Sequence, residues 1–144
     1  MGNDYDKTAW ISNVTTTKTP WGHESRWSAL PSIHGKRLII SKGKRTSLKY
    51  HPHKNEAFFI ISGEVKVFYA DEEWLHYKNT PMKQATLGPG EAFTLMARCV
   101  YRIKAVEDSE IIEVANSSTG QPVRIADDYG RTVIDAVLPN DIPE

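Results

Sequence analysis

His51, Pro52, His53 and Glu56 fall within six consecutive positions, and Gly63 follows seven residues after the glutamate. Strand side chains alternate between faces with period two, so histidines at i and i+2 on one strand project the same way. Pro52 lacks a backbone donor and biases His51 towards extended geometry. A chain reversal at Lys54 and Asn55 then brings Glu56 in as a third arm. Two imidazoles and a carboxylate converging on one point make the facial set that suits a divalent transition metal. The pattern predicts a metal pocket inside a β-structure.

The rest of the chain reads as β. Short extended runs are expected at 24–29, 36–41, 47–51, 56–62, 64–69, 84–87, 92–96, 101–106 and 109–115. They are punctuated by Pro31, Gly35, Gly43, Ser62-Gly63, Pro81, Gly88-Pro89-Gly90 and Asp108. Val65, Val67 and Tyr69 alternate with Glu64 and Lys66, as on a half-buried strand. Residues 57–61 are apolar on both faces, which fits a central strand of a sandwich. No segment carries a helical stripe, and 72–78 reads equally as a helical turn or a strand. Many short strands at regular spacing predict an all-β sandwich or barrel.

With 144 residues the chain is sized for one domain. The polar, threonine-rich residues 1–19 are expected to form an arm or edge segment. A formal net charge of zero and a pI near 7.0 give no electrostatic footprint for nucleic acid or an anionic membrane. One cysteine, Cys99, forbids an intramolecular disulfide framework and suits a reducing compartment. The first ten residues resemble neither a signal peptide nor a myristoylation site, and no apolar run approaches the ~18 residues of a bilayer span. The expectation is a soluble cytoplasmic domain.

Gly43, His51, His53, Glu56 and Gly63 together resemble the first sequence motif of the cupin family. The family's second motif is matched at Gly90. Met96 then stands where its proline belongs, Arg98 where its glycine belongs, and Tyr101 where its histidine ligand belongs. Three further blocks resemble the C-terminal cupin domain of type II mannose-6-phosphate isomerases: Pro20-Trp21-Gly22, Arg45 with Ser47-Leu48, and residues 124–131. The strand at 111–114 also looks like that family's, so the likeness runs from about residue 18 to 131.

The resemblance implies a single-domain cupin jelly roll over 20–131, with 132–144 as a tail beyond it. It implies a divalent metal (Zn, Mn, Ni or Fe) held by His51, His53 and Glu56. Tyr101 would be a fourth ligand or a donor to metal-bound water, its plain alternative being a filler of the pocket. Strand parity places Lys49 on the face of His51, where the family has a neutral amide, and a cation there calls for an anionic substrate. Arg45, Lys49, Tyr101 and Arg131 are the expected substrate-binding residues, with Lys49 and Arg131 assisting proton transfer. For Arg131 the competing role is a structural ion pair with Asp127 and Asp128.

The implied activity is metal-dependent aldose–ketose isomerisation of a sugar phosphate such as mannose 6-phosphate. The alternatives are a small Fe(II)-dependent cupin dioxygenase and a non-catalytic sugar-binding cupin with a degenerate metal site. Exposed strand edges lead us to expect a homodimer. His23, His34 and His76 are assigned to the surface or to supporting positions, and Cys99 to packing. Trp21 and Trp27 could stack on a sugar, with core or dimer packing the commoner role.

Overall fold

In the computed structural model, residues 8–28, 30–76, 81–117 and 120–131 are described. The predicted tail at 132–144 lies outside them. Eleven strands form among these residues. They are β1 (Thr15–Thr19), β2 (Gly22–Arg26), β3 (His34–Ile40), β4 (Leu48–Tyr50), β5 (Glu56–Ser62) and β6 (Val65–Ala70). After a single 3-10 turn at Glu72–Leu75 come β7 (Lys83–Leu87), β8 (Ala92–Leu95), β9 (Val100–Ala105), β10 (Ser109–Ala115) and β11 (Val123–Ala126).

Two antiparallel sheets face each other, in the orders β1-β2-β3-β10-β5-β8 and β11-β4-β9-β6-β7. Period-two alternation explains the core between them. Phe58 and Ile60 of β5, Ile111 of β10, Val65 and Val67 of β6, and Ile103 of β9 point inward and are almost fully buried. The five-stranded sheet is covered on its other face as well. There Leu48, Phe68, Val100 and Ile125 pack with Trp74 of the 3-10 turn and Met82. The six-stranded sheet behaves differently. Phe59, Ile61 and Val114 on its outer face are 44–46% exposed, so the apolar run at 57–61 marks an interior strand with one uncovered face.

Nine expected strands are present, with ends shifted by at most three residues. Two more were hidden. Thr15–Thr19, within the expected arm or edge segment, is an edge strand paired with β2, and Val123–Ala126 pairs with β4. The open segment 72–78 contains the 3-10 turn. Gly63 closes the β5–β6 turn at φ 89°, and a side chain there would collide with Ser109. Arg98 is the single non-glycine residue with positive φ (71°) among those described, and it stands where the cupin motif has glycine. The backbone has kept the left-handed conformation while the sequence lost the residue that adopts it most easily.

Candidate active site

Between the sheets a cavity of about 410 Å³ opens, and its wall carries Lys49, Lys54, Glu56 and Glu113. Lys49 comes from β4, Glu56 from β5, Tyr101 from β9 and Glu113 from β10, while His51 and Lys54 come from the β4–β5 connection. Lys49 and Tyr101 are cross-strand partners, which puts the Lys49 ammonium 4.7 Å from the centre of the Tyr101 ring. Tyr101 donates a 3.2 Å hydrogen bond to Glu56 Oε1, and His51 Nε2 lies 3.4 Å from the same oxygen. Phe58, in the core between the sheets, packs against Tyr101 at 5.7 Å between ring centres.

His53 does not join this group. It is exposed and does not line the cavity. The alternation that placed it beside His51 requires a continuous strand, and β4 ends at Tyr50. From 51 to 55 the chain bends instead, anchored by Arg98 N–H donating to the His51 carbonyl at 2.8 Å and Ala97 N–H donating to Asn55 Oδ1 at 2.7 Å. The bend turns His53 outward and buries Lys54, which is only 9% exposed and lines the cavity.

The donor set expected for a metal is therefore incomplete. Among the described residues, no group of three His, Cys, Asp or Glu side chains is placed to hold a metal ion. Burial, with Glu56 and Glu113 nearby, pushes the Tyr101 hydroxyl well above the usual range and keeps it a neutral donor.

The remaining groups form an acid–base system. Burial, reinforced by the neighbouring Glu113 carboxylate, pushes Glu56 up to about 7 against the pull of Lys54 and Lys49. Burial also raises the cost of charging Glu113. The 2.6 Å hydrogen bond from His34 Nε2, with Lys36 behind it, outweighs that cost and keeps Glu113 ionised. Two neighbouring carboxyls are thus driven apart, one towards carrying a proton and one towards holding charge. Burial lowers Lys49 to about 8 despite Glu56 and Glu113. Burial and the Lys54 and Lys49 charges pull His51 down to about 3, leaving a neutral imidazole.

The sequence reading assigned no active role to Lys54, Glu113 or His34. Glu113 was accessible by parity, since it shares the inward face of β10 with Ile111. His34, listed above as a surface or supporting residue, is the supporting one: it is 2% exposed and bonded to Glu113. Arg131 lines the cavity, yet Asp127 holds its guanidinium at 2.8 and 3.0 Å. Arg45 is absent from the cavity wall, its guanidinium bound at 2.6 and 3.0 Å by Asp128. Trp21 is in the core and also touches the cavity, whereas the Trp27 ring covers Gly35.

No protein-family model and no curated protein matches the chain. Solved structures do. KdgF from Halomonas sp. superposes with a TM-score of 0.61 at 15% identity, over 73% of this chain and 89% of that one. The capsular polysaccharide assembling protein CapF from Staphylococcus aureus gives 0.63 at 15% identity, over 75% of this chain and 32% of CapF. Bacillus subtilis oxalate decarboxylase, a protein with Mn(II) centres, gives 0.65 at 16% identity, over 77% of this chain and 29% of the enzyme. The chain thus spans most of KdgF and about a third of the two larger proteins. With the sheet topology, these likenesses define the fold: an all-β cupin jelly roll. At such identity they speak for the fold alone.

Proposed function

We propose that this chain is an aldose–ketose isomerase that moves a proton between C1 and C2 of a sugar phosphate, with Glu56 as the proton carrier. The observation that carries this reading is a carboxyl raised to about 7, 4% exposed, on the wall of a cavity that Lys49, Lys54, Arg124 and Arg131 also line. Glu56 takes the proton from C2 of the open-chain aldose and returns it to C1, while the O2 hydroxyl proton passes to O1 as the enediol collapses to the ketose. The Lys49 ammonium steadies the negative charge that develops on the substrate oxygens, and the neutral Tyr101 hydroxyl orients Glu56. Glu113, held by His34, keeps Glu56 basic enough to accept a proton.

The phosphate is assigned to the cationic side of the cavity, where Arg124 and Arg131 line the wall. Arg124 Nε and Thr19 Oγ1 are both buried there without a hydrogen-bond partner in the structure, which fits a wall built for a polar ligand. In a metal-dependent isomerase the ion would act as Lewis acid. The side chains of this cavity do not form its ligand set, and no step above uses it. The dioxygenase alternative needs His51, His53 and Glu56 to converge, and the exposed His53 outside the cavity lining gives it less support.

The test is conversion of mannose 6-phosphate to fructose 6-phosphate by the purified chain beside Glu56→Gln. Turnover that depends on Glu56 supports the proposal. Binding without turnover would point to the non-catalytic sugar-binding cupin, and neither would remove the sugar-phosphate reading.

A further inference from the structure

We infer that the Lys54 ammonium is the resident cation of this cupin pocket, occupying the place in the cavity that a bound divalent ion would otherwise take. The inference concerns the make-up of the site and holds whatever reaction occurs there. It rests on an exchange of neighbours. His53 and Lys54 are adjacent in sequence, and the bend after β4 turns the imidazole out to solvent and the ammonium in. Lys54 is 9% exposed and shares the cavity wall with His51 and Glu56, the two remaining members of the expected ligand set.

The bend is built into the structure rather than a loose excursion. Pro52 interrupts the strand after His51, whose carbonyl accepts from Arg98. Asn55 closes the other side, its carbonyl accepting from Asn116 N–H at 3.3 Å. Its side chain accepts from Ala97, and its backbone N–H donates to Asn116 Oδ1 at 3.1 Å. Both flanks are fixed, so the residue between them that faces inward is fixed as well. A buried lysine stem in a cavity holding Glu56 and Glu113 gives the interior a positive charge, and an incoming dication would meet that charge at close range.

Metal uptake tests this directly. Tag-free chain is incubated with Mn(II), Ni(II) or Zn(II), dialysed, and measured by elemental analysis beside Lys54→His and His53→Ala. The wild type should retain far less than one equivalent. Lys54→His, which places a third donor beside His51 and Glu56, should retain one. A wild type holding one equivalent that His53→Ala loses would overturn the inference, as would a folded Lys54→His that gains no metal. If Lys54→His does not fold, Lys54→Gln replaces it with inorganic phosphate as the probe. Removing the resident cation should weaken phosphate binding about tenfold, and unchanged binding would overturn the assignment.

Discussion

Two clusters of charge, which meet where Arg131 lines the cavity, are built on opposite plans. In the closing segment at 127–131, each carboxylate has its own guanidinium. Asp127 takes Arg131, and Asp128 takes Arg45 with the buried Arg102 3.7 Å away. Tyr129 adds a 2.9 Å hydrogen bond to the Arg45 carbonyl. Both aspartates are held below the usual carboxylate range, Asp127 by Arg131 against a cost of burial and Asp128 first by its bond from Arg45. In the cavity, Glu56 and Glu113 face each other, and Glu56 receives a neutral hydroxyl and a neutral imidazole. Complete pairing fixes a strand to the barrel. Incomplete pairing leaves a proton free to move, and that is the difference between a clasp and a site.

The largest expected effect comes from removing the mobile proton. Glu56→Gln should lower kcat by about 10²- to 10⁴-fold, the usual range for a general base, while leaving the thermal midpoint near that of the wild type. Steady-state kinetics with calorimetry checks both. An active Glu56→Gln enzyme would erase the contrast.

Next is His34→Ala, which strands the buried Glu113 carboxylate. Leaving a buried carboxylate without its hydrogen-bond partner should cost about 3 kcal/mol in denaturant unfolding, and Glu113→Gln in the same background should recover much of it. If His34→Ala is neutral, the pair is not what holds Glu113 ionised.

The third is a pH response. Stability associated with a neutral His51 is present above its unfolded value of 6.5 and is lost as pH falls towards about 3. Stability associated with a protonated Glu56 runs the other way, present below 4.5 and lost as pH rises through about 7. His51→Gln should therefore flatten the acid limb of the stability curve, and Glu56→Gln the limb approaching neutrality. Melting points from pH 3 to 8 distinguish them, and parallel curves would refute both assignments. Turnover should peak where Glu56 has lost its proton and Lys49 keeps its own, between about 7 and about 8.

The smallest effect belongs to the clasp. Arg45→Ala removes a partly exposed ion pair and should cost about 1 kcal/mol or less, with KM for the sugar phosphate unchanged. A large rise in KM would put Arg45 in contact with substrate and undo the division between the two clusters.

Much of the barrel was legible because alternation and turn residues are local signals. Strands such as Val65–Ala70 and Ser109–Ala115 announce themselves by parity. Thr15–Thr19 was obscure because an exposed edge strand carries no apolar face, and its burial pattern is almost wholly exposed. Val123–Ala126 was read as motif rather than strand. Within the site, Lys49, His51, Glu56 and Tyr101 could be gathered from parity and resemblance. His53 could not be placed correctly, because strand parity fails where Pro52 ends the strand, and no local pattern says which of two neighbours a bend will bury. The base was hidden for a different reason. A ligand and a proton carrier can be the same glutamate, and only the distance to Glu113 and the depth of burial separate the two roles.

The most direct measurement is proton exchange at C2. The chain is treated with chelator, dialysed into D₂O near neutral pH, and given mannose 6-phosphate under ¹H NMR. The account predicts loss of the C2 proton signal with conversion to the ketose, abolished in Glu56→Gln. An unchanged C2 signal with no ketose formed, or turnover that returns only when a divalent metal is restored, would contradict it.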